Sequence, residues 1–246
     1  MTTPTFRREP VSFVQRDSRL TPSSQAAWDR HHDRLVLDVP RGEASTSVAA
    51  GYRLDPAAVF GRRAPLVVEI GSGSGDAVVH AAERHPGTDF LAVEVYRPGV
   101  AQTLSRLGAA GATNVRLVQA NAVDVLRHAL DGVALQEVWT FFPDPWPKAK
   151  HHKRRLVTPA TAELVASRLA PGGLWRLATD WPDYAAQMLA AGAACPMLSN
   201  LYGGLAPRYE GRPLTRFERK GVAVGRPIAD LTFERVASPA RSRRPG

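Results

Sequence analysis

The sequence predicts an α/β fold with a mostly parallel sheet and helices on both faces. From residue 65 onward, apolar runs of strand length alternate with segments of helix length, as in parallel sheets with crossover helices. The first run leads directly into a glycine-rich turn at residues 71–75, a common junction between a strand and a helix in such folds. At 246 residues and 44% hydrophobic content, the chain can bury the core of one domain with extensions.

The elements follow in order along the chain. Strands are predicted at 66–70, 90–95, 115–119, 137–142, 174–179 and 231–236. Helices are predicted at 76–85, 97–109, 122–130, 158–169 and 181–191. Residues 1–50 are rich in Pro, Ser, Thr and Arg without a sustained period, which predicts a flexible basic N-terminal arm. A single domain is expected over 51–236, followed by a basic C-terminal tail at 237–246.

Composition excludes several classes of protein. Cys195 is the single cysteine, so a disulfide framework and a Cys-rich metal site are excluded, and we expect it to be a small buried side chain. No apolar run approaches 18 residues and the N-terminus lacks the core of a signal peptide, so a cytoplasmic protein is expected. The histidine pairs lack partners at metal-ligand spacing, and no metal is predicted.

The glycine turn reads Gly71-Ser72-Gly73-Ser74-Gly75-Asp76. It completes neither the dinucleotide fingerprint nor the phosphate-binding P-loop, and it contains no basic residue. Acids flank it at Glu69 and Asp76, which favours a ligand with cationic groups such as S-adenosylmethionine. Glu94, 23 residues after Gly71, is placed to accept bonds from ribose hydroxyls, and Asn121 to meet an adenine edge. The alternative is that Glu69 and Glu94 are solvated residues at strand ends.

The fourth predicted strand ends in Phe142-Pro143-Asp144-Pro145-Trp146-Pro147, at the edge where α/β sheets bind ligands. Three prolines at alternate positions stiffen this turn and would hold Asp144 in place, with Trp146 either stacking on a base or packing locally. Residues 148–155 follow as Lys-Ala-Lys-His-His-Lys-Arg-Arg, and they contain three of the chain's four lysines. This run suits contact with a phosphate backbone, although a solvated charged surface would have the same composition.

These motifs resemble those of the bacterial tRNA (guanine-N7)-methyltransferases. The resemblance is carried by Val68-Glu69-Ile70-Gly71, Val93-Glu94-Val95, Phe141-Phe142-Pro143-Asp144-Pro145-Trp146, the run 148–155, Ala178-Thr179-Asp180-Trp181, Thr215-Arg216-Phe217-Glu218 and an N-terminal stretch at 12–21. It implies a Rossmann-like class I S-adenosylmethionine-dependent methyltransferase fold. The implied reaction is methylation of guanosine N7 in tRNA, expected at position 46 of the variable loop, with tRNA as partner and no obligate protein partner.

The resemblance also implies roles for individual residues. Glu69, Gly71, Gly73, Glu94, Asn121 and Asp144 would bind S-adenosylmethionine, and Asp144 would also be catalytic. Lys148, Asp180, Thr215, Arg216, Phe217 and Glu218 would meet the guanosine, and Lys150, His151, His152, Lys153, Arg154 and Arg155 would touch RNA. One departure is Asn121, where the family usually has Asp; the amide removes a charge and keeps an acceptor.

The net charge of +9 separates into opposite signs along the chain. Residues 1–35, 148–155, 208–226 and 235–246 carry +2, +5, +4 and +4, which leaves −6 on the remainder. An acidic core suits a cationic cofactor, and basic loops and tails suit a polyanion. Two other functions share parts of this pattern: a small-molecule methyltransferase, which needs no RNA surface, and a non-catalytic RNA-binding module, which leaves Glu69, Glu94 and Asp144 without a role.

Overall fold

The computed structural model describes residues 19–237 of the chain. Its strands form one mixed sheet with the order β3-β2-β1-β4-β5-β7-β6. The strands are β1 Leu66–Ile70, β2 Asp89–Val93, β3 Val115–Val118, β4 Leu135–Phe141, β5 Leu169–Thr179, β6 Leu198–Asn200 and β7 Ala229–Arg235. β1 to β5 run parallel, and β7 pairs antiparallel with both β5 and β6. The predicted α/β class with a mostly parallel sheet is confirmed.

The helices connect these strands in crossovers. They are α1 Pro22–Leu35, α2 Pro56–Phe60, α3 Asp76–Arg84, α4 Arg97–Ala110, α5 Ala122–Asp124, α6 Pro159–Arg168, α7 Pro182–Ala193 and α8 Arg216–Ala223. α5 continues as a π-helical turn at Val125–Ala129, and a 3-10 turn spans Ala149–Arg154. None of the helices in the described range is long and apolar enough to cross a membrane.

Alternate residues of the parallel strands point to two separate hydrophobic clusters, one on each face of the sheet. Val67 and Phe90 pack in a cluster that includes residues of α1, α3 and α4. Val68 and Leu91 pack in the other cluster, with residues of α6, α7 and the π-helical turn. Because both faces are covered, the strands read as continuous apolar runs, and this is why the sequence predicts β1 to β4 closely.

The predicted flexible arm is wrong for residues 22–35, which form α1. Thr21 caps this helix by accepting a hydrogen bond from the Ser24 N–H, and Pro22 occupies the first turn. Leu35 is fully buried, and the Arg97 guanidinium lies 4.6 Å from the centre of the Trp28 ring. The helix is therefore packed on the domain. Residues 1–18, with most of the N-terminal resemblance, and residues 238–246 of the predicted tail lie outside the described range.

Candidate active site

The carboxyl ends of β1, β2, β3 and β4 meet at one edge of the sheet and border a cleft of about 650 Å³. All six residues predicted to bind the cofactor line this cleft: Glu69, Gly71, Gly73, Glu94, Asn121 and Asp144. The cleft also includes residues that sequence reasoning did not assign to it, among them Ser72 and Lys220. Lys220 lies on α8 one turn after Phe217, and that spacing is the signal that could have identified it.

The glycine turn connects β1 to α3 with a tight backbone path. Gly71, Gly73 and Gly75 all have left-handed φ values, of 70°, 55° and 76°. At Gly75, which caps α3, a Cβ atom would lie 2.6 Å from the Thr103 side chain on α4. Conformation therefore favours glycine at all three positions, packing requires it at Gly75 as well, and the turn brings the backbone to the wall of the cleft.

Glu69 is the penultimate residue of β1 and is buried inside the domain. It is 5% exposed, and its Oε2 has no hydrogen-bond partner among the described residues. The pKa of Glu69 is raised to about 8, chiefly by burial; a backbone hydrogen bond from Val78 opposes the shift, and the nearby carboxylates of Asp76 and Glu94 add to it. The alternative of a solvated strand end is thus wrong for Glu69. A buried acceptor without a partner at the wall of a cleft suits a cationic ligand group.

Glu94 directly follows β2 and holds the glycine turn. Its Oε2 accepts the Gly73 N–H at 2.8 Å, and its Oε1 accepts the N–H groups of Val95 and Tyr96, both at 2.8 Å. Burial raises the pKa of Glu94, the three backbone donors oppose this shift, and the charge of Asp144 adds to it. The carboxylate is fixed in place, with further lone pairs available to ribose hydroxyls.

Asn121 lies at the start of α5, beside β3. Its Oδ1 accepts the Val123 N–H at 2.8 Å and so caps the helix, while its backbone N–H donates to the Thr46 carbonyl at 2.6 Å. An aspartate would cap this helix in the same way. The substitution relative to the family pattern therefore preserves the local fold and removes one negative charge from the cleft.

Asp144 lies in the proline turn after β4, exposed at the mouth of the cleft. Although the residue keeps much of its surface exposed, the protein around its carboxyl group partly excludes water and so raises the pKa of that group. The turn is bracketed by two residues with left-handed backbones, Phe142 at φ 51° and Trp146 at φ 44°. Non-glycine residues adopt this region at a cost of order 1 kcal/mol or more each, so the surrounding contacts must hold the turn in place.

Of the residues predicted to meet the guanosine, Thr215 and Phe217 line the cleft, whereas Asp180 does not. Phe217 on α8 lines the cleft and is 55% exposed, and Thr215 lines it while capping α8. Asp180, after β5, is ion-paired with Arg226 at 2.9 Å and is not among the residues lining the cleft. Arg216 begins α8, and its side chain is outside the described structure.

The predicted contact between Glu218 and the substrate is wrong in this structure. Glu218 is 1% exposed and forms ion pairs with Arg208 at 2.7 Å and Arg212 at 3.2 Å. Burial alone would raise the pKa of Glu218, and the hydrogen bonds from these two guanidinium groups overcome that effect and lower it. Glu218 therefore anchors α8 and does not face the cleft.

The basic run lies beside the cleft on the 3-10 turn. Lys148, Lys150 and Lys153 are exposed, and Arg154 lines the cleft with its guanidinium 5.0 Å from the centre of the Trp146 ring. The Trp146 ring also meets His151 edge-on, with ring centres 5.9 Å apart. Trp146 thus packs against its own loop, which agrees with local packing as one of the two roles predicted for it.

The predicted contact between Arg155 and RNA is wrong in this structure, because the side chain is buried. It is 1% exposed, and its guanidinium donates to the Pro145 carbonyl at 2.8 Å and to the Asp183 carboxylate at 2.7 Å. His152 lies against it, with 3.0 Å between His152 Nε2 and the Arg155 guanidinium. A buried side chain with these partners cannot reach a phosphate backbone in this conformation.

The cleft fits S-adenosylmethionine. Glu69, whose Oε2 has no hydrogen-bond partner among the described residues, lines a site walled by further acids, which suits the ammonium and sulfonium groups. Glu94 stands where a ribose is expected in folds of this topology. In the described range, no group of three or more His, Cys, Asp or Glu side chains could hold a metal ion.

Fold and cleft together define a Rossmann-like methyltransferase, and comparison with solved structures agrees on the fold. The 16S rRNA (adenine(1408)-N(1))-methyltransferase from Catenulisporales acidiphilia aligns with a TM-score of 0.52 and 17% identity, covering 78% of this chain and 99% of that chain. A family described as "Putative methyltransferase" matches residues 63–231.

Sequence relatives identify the particular family. A tRNA (guanine-N(7)-)-methyltransferase of Cutibacterium acnes is 52% identical over 233 residues, covering 94% of this chain and 84% of that protein. One from Nocardioides sp. is 51% identical over 233 residues, covering 93% of this chain and 88% of that protein. The chain belongs to the tRNA (guanine-N7)-methyltransferase family, and it is an enzyme that uses S-adenosylmethionine.

The buried Glu69 leads to a pH-dependence of cofactor binding. Because its pKa is raised to about 8, Glu69 is largely protonated in the empty cleft at neutral pH, and a cationic ligand favours the carboxylate. We expect the Kd for S-adenosylmethionine to fall by up to about tenfold per pH unit between pH 6 and 8 and to level off above that. Calorimetry across this range measures it. Glu69→Gln should bind more weakly and lose the dependence; a flat profile in the unaltered protein would contradict the assignment.

Proposed function

We propose that the protein transfers a methyl group from S-adenosylmethionine to N7 of guanosine 46 in the variable loop of tRNA. The observation that carries this proposal is the juxtaposition of an acidic cleft, lined by Glu69, Glu94 and Asp144, with the exposed cations of the adjoining 3-10 turn. The family supports methylation of guanine N7 in tRNA, and the resemblance of the motifs supports the variable loop.

Methyl transfer to guanine N7 requires correct orientation of the two reactants and does not require proton transfer. Guanine N7 carries an in-plane lone pair, so no base is needed to expose the nucleophile. When bound, S-adenosylmethionine supplies the methyl group and the positive charge of its sulfonium. Glu69 and Glu94 would hold the cationic and ribose portions of the cofactor. Asp144, fixed in its turn, would stabilise the positive charge that moves onto the purine.

Guanine selection is assigned to Asp180, which directly follows β5, the strand whose Ala178 carbonyl accepts the Phe142 N–H at the start of the turn that carries Asp144. Its carboxylate could accept hydrogen bonds from guanine N1–H and the 2-amino group, and adenine has neither donor. Because Arg226 is paired with Asp180 at 2.9 Å, the base edge would have to replace that guanidinium. Transfer to inosine, which keeps N1–H and lacks the 2-amino group, should be weakened in the unaltered enzyme. Asp180→Ala should lose more activity with guanosine than with inosine, because one of the two hydrogen bonds is already missing in inosine; equal losses would contradict the assignment.

The position in the tRNA is tested with transcripts. A transcript with guanosine 46 replaced by adenosine should accept no methyl group, whereas one with a guanosine replaced elsewhere in the variable loop should be methylated normally. Equal methylation of both altered transcripts would place the target at another nucleotide and contradict the proposed position.

The lysines of the 3-10 turn give an electrostatic prediction. Lys150→Ala combined with Lys153→Ala should weaken tRNA binding and reduce the slope of log K against log salt by about 1 to 2, because each phosphate contact contributes about 0.7 to 0.9. Filter binding at several salt concentrations measures the slope. Arg63→Ala is the matched control for each lysine replaced singly, since it also removes one positive charge and Arg63 is exposed just before the amino end of β1, at the opposite edge of the sheet. An equal loss of slope in the control would show that net charge alone determines binding.

A further inference from the structure

We propose that Arg155 is a positioning residue, which holds the turn carrying Asp144 against α7 and makes no contact with RNA. The inference rests on the proposed function, because it assigns Arg155 a role in that reaction. It separates Arg155 from the exposed cations of the same run, Lys150 and Lys153.

The burial of Arg155 is the first observation. Its side chain is 2% exposed although it ends a run of five cationic residues. The guanidinium lies 4.7 Å from the centre of the Tyr184 ring, a buried residue of α7. A cation placed to contact a phosphate backbone would be open to solvent, and this one is enclosed.

The hydrogen bonds of Arg155 join two parts of the structure. One branch donates to the Pro145 carbonyl at 2.8 Å, next to Asp144. The other branches donate to Gln187 Oε1 at 2.9 Å and to Asp183 Oδ2 at 2.7 Å, both on α7. The planar guanidinium can meet all three acceptors at once, and a lysine ammonium lacks this fork geometry.

The backbone of the turn explains why such a connection is needed. Phe142 and Trp146 have φ values of 51° and 44°, so the turn would relax if it were released. The Phe142 N–H is held by the Ala178 carbonyl at 2.8 Å on one side, and Arg155 holds Pro145 on the other. Asp144 lies between these two attachments, and its position depends on both.

α7 is itself tied to the segment that contains Arg155. Gln187 Nε2 donates to the Val157 carbonyl at 2.8 Å, and the Tyr184 hydroxyl accepts the Val157 N–H at 3.0 Å. α7 therefore holds the Arg155 guanidinium in place. Arg155 in turn holds the Pro145 carbonyl, and this fixes the position of Asp144 relative to the core.

The test compares steady-state kinetics and tRNA affinity of Arg155→Met and Lys153→Ala. Arg155→Met should lower kcat about 100-fold, the cost of a displacement near 1 Å at a reacting group, with tRNA Kd and salt slope within twofold of the unaltered enzyme. Arg155→Lys should recover little of kcat because it keeps the charge and loses the fork. Lys153→Ala should instead act on tRNA affinity and salt slope.

Unfolding by circular dichroism shows whether each variant is folded. If Arg155→Met does not fold, Asp183→Asn carries the test, since it weakens one attachment of the guanidinium and should lower kcat several-fold at constant tRNA Kd. A retained kcat with weakened tRNA binding and a smaller salt slope in Arg155→Met would overturn the proposal. Absence of methyl transfer by the unaltered enzyme would count against the proposed function instead, and the two failures are thus distinguishable.

Discussion

Replacement of Asp144 by alanine is expected to lower kcat for methyl transfer to tRNA by about 10² to 10³-fold, the usual effect of removing a fixed charge that stabilises a transition state. Asp144 lines the cleft from a restrained turn and, within residues 19–237, takes no part in the buried ion pairs of the core. The fold should therefore persist, with S-adenosylmethionine and tRNA still bound. Single-turnover rates with saturating tRNA measure the loss.

The raised pKa of Asp144 also predicts how the single-turnover rate of methyl transfer depends on pH in acid. Partial burial raises the pKa of Asp144, and the charged form is the one that stabilises the purine cation. The single-turnover rate should fall as the pH drops through this raised pKa. In Asp144→Ala, the rate should show no such decrease on the acid side of the pH–rate profile. Unchanged turnover of the alanine variant with bound tRNA would contradict the catalytic role.

The largest expected effect on stability comes from Arg212. Its side chain is fully buried and forms ion pairs with Glu218 at 3.2 Å and with Asp230 at 2.5 Å. Arg212→Met leaves two buried carboxylates without this partner, and it should lower the free energy of unfolding by about 3 to 5 kcal/mol. Denaturant unfolding measures the change, and Arg63→Met, at an exposed position, should be within about 0.5 kcal/mol of the unaltered protein.

The direction of the pH effect at this network follows from Glu218, whose pKa is lowered in the folded protein. A lowered folded pKa contributes stability above the unfolded pKa of the carboxyl group, and this contribution is lost as the pH falls through the folded value. The unaltered protein should therefore lose more stability than Arg212→Met on acidification below about pH 4.5. An equal acid loss in both proteins would show that Glu218 is not stabilised by Arg212.

The parallel strands were predictable because burial on both faces makes them continuous apolar runs. β6 was not predicted, since it has three residues and exists only through pairing with β7. α1 was assigned to a flexible arm because only Ala27 and Leu35 are buried along its 14 residues, too few for a clear period. Its capping residues, Thr21 and Pro22, were the available signal. β5 begins five residues earlier than predicted, at Leu169, where its register against β4 is irregular.

The site residues that lie at the carboxyl ends of neighbouring strands could be predicted from the sequence. Glu69 lies near the carboxyl end of β1 and Glu94 directly follows the adjacent parallel strand β2, so their convergence follows from the topology. Arg155 and Glu218 were assigned to RNA and substrate by motif, yet the structure buries both. Their partners, Asp183 and Arg212, are supplied by tertiary packing of α7 and of the segment before α8, and no spacing in the sequence identifies such pairs.

The central claim is tested most directly by the identity of the methylated nucleoside. The purified protein is incubated with S-adenosylmethionine labelled in its methyl group and with unmodified tRNA, and the tRNA is then digested and examined by mass spectrometry. The account predicts label in 7-methylguanosine, with that label lost in Asp144→Ala. Label in any other nucleoside, or S-adenosylmethionine bound without transfer to tRNA, would contradict it.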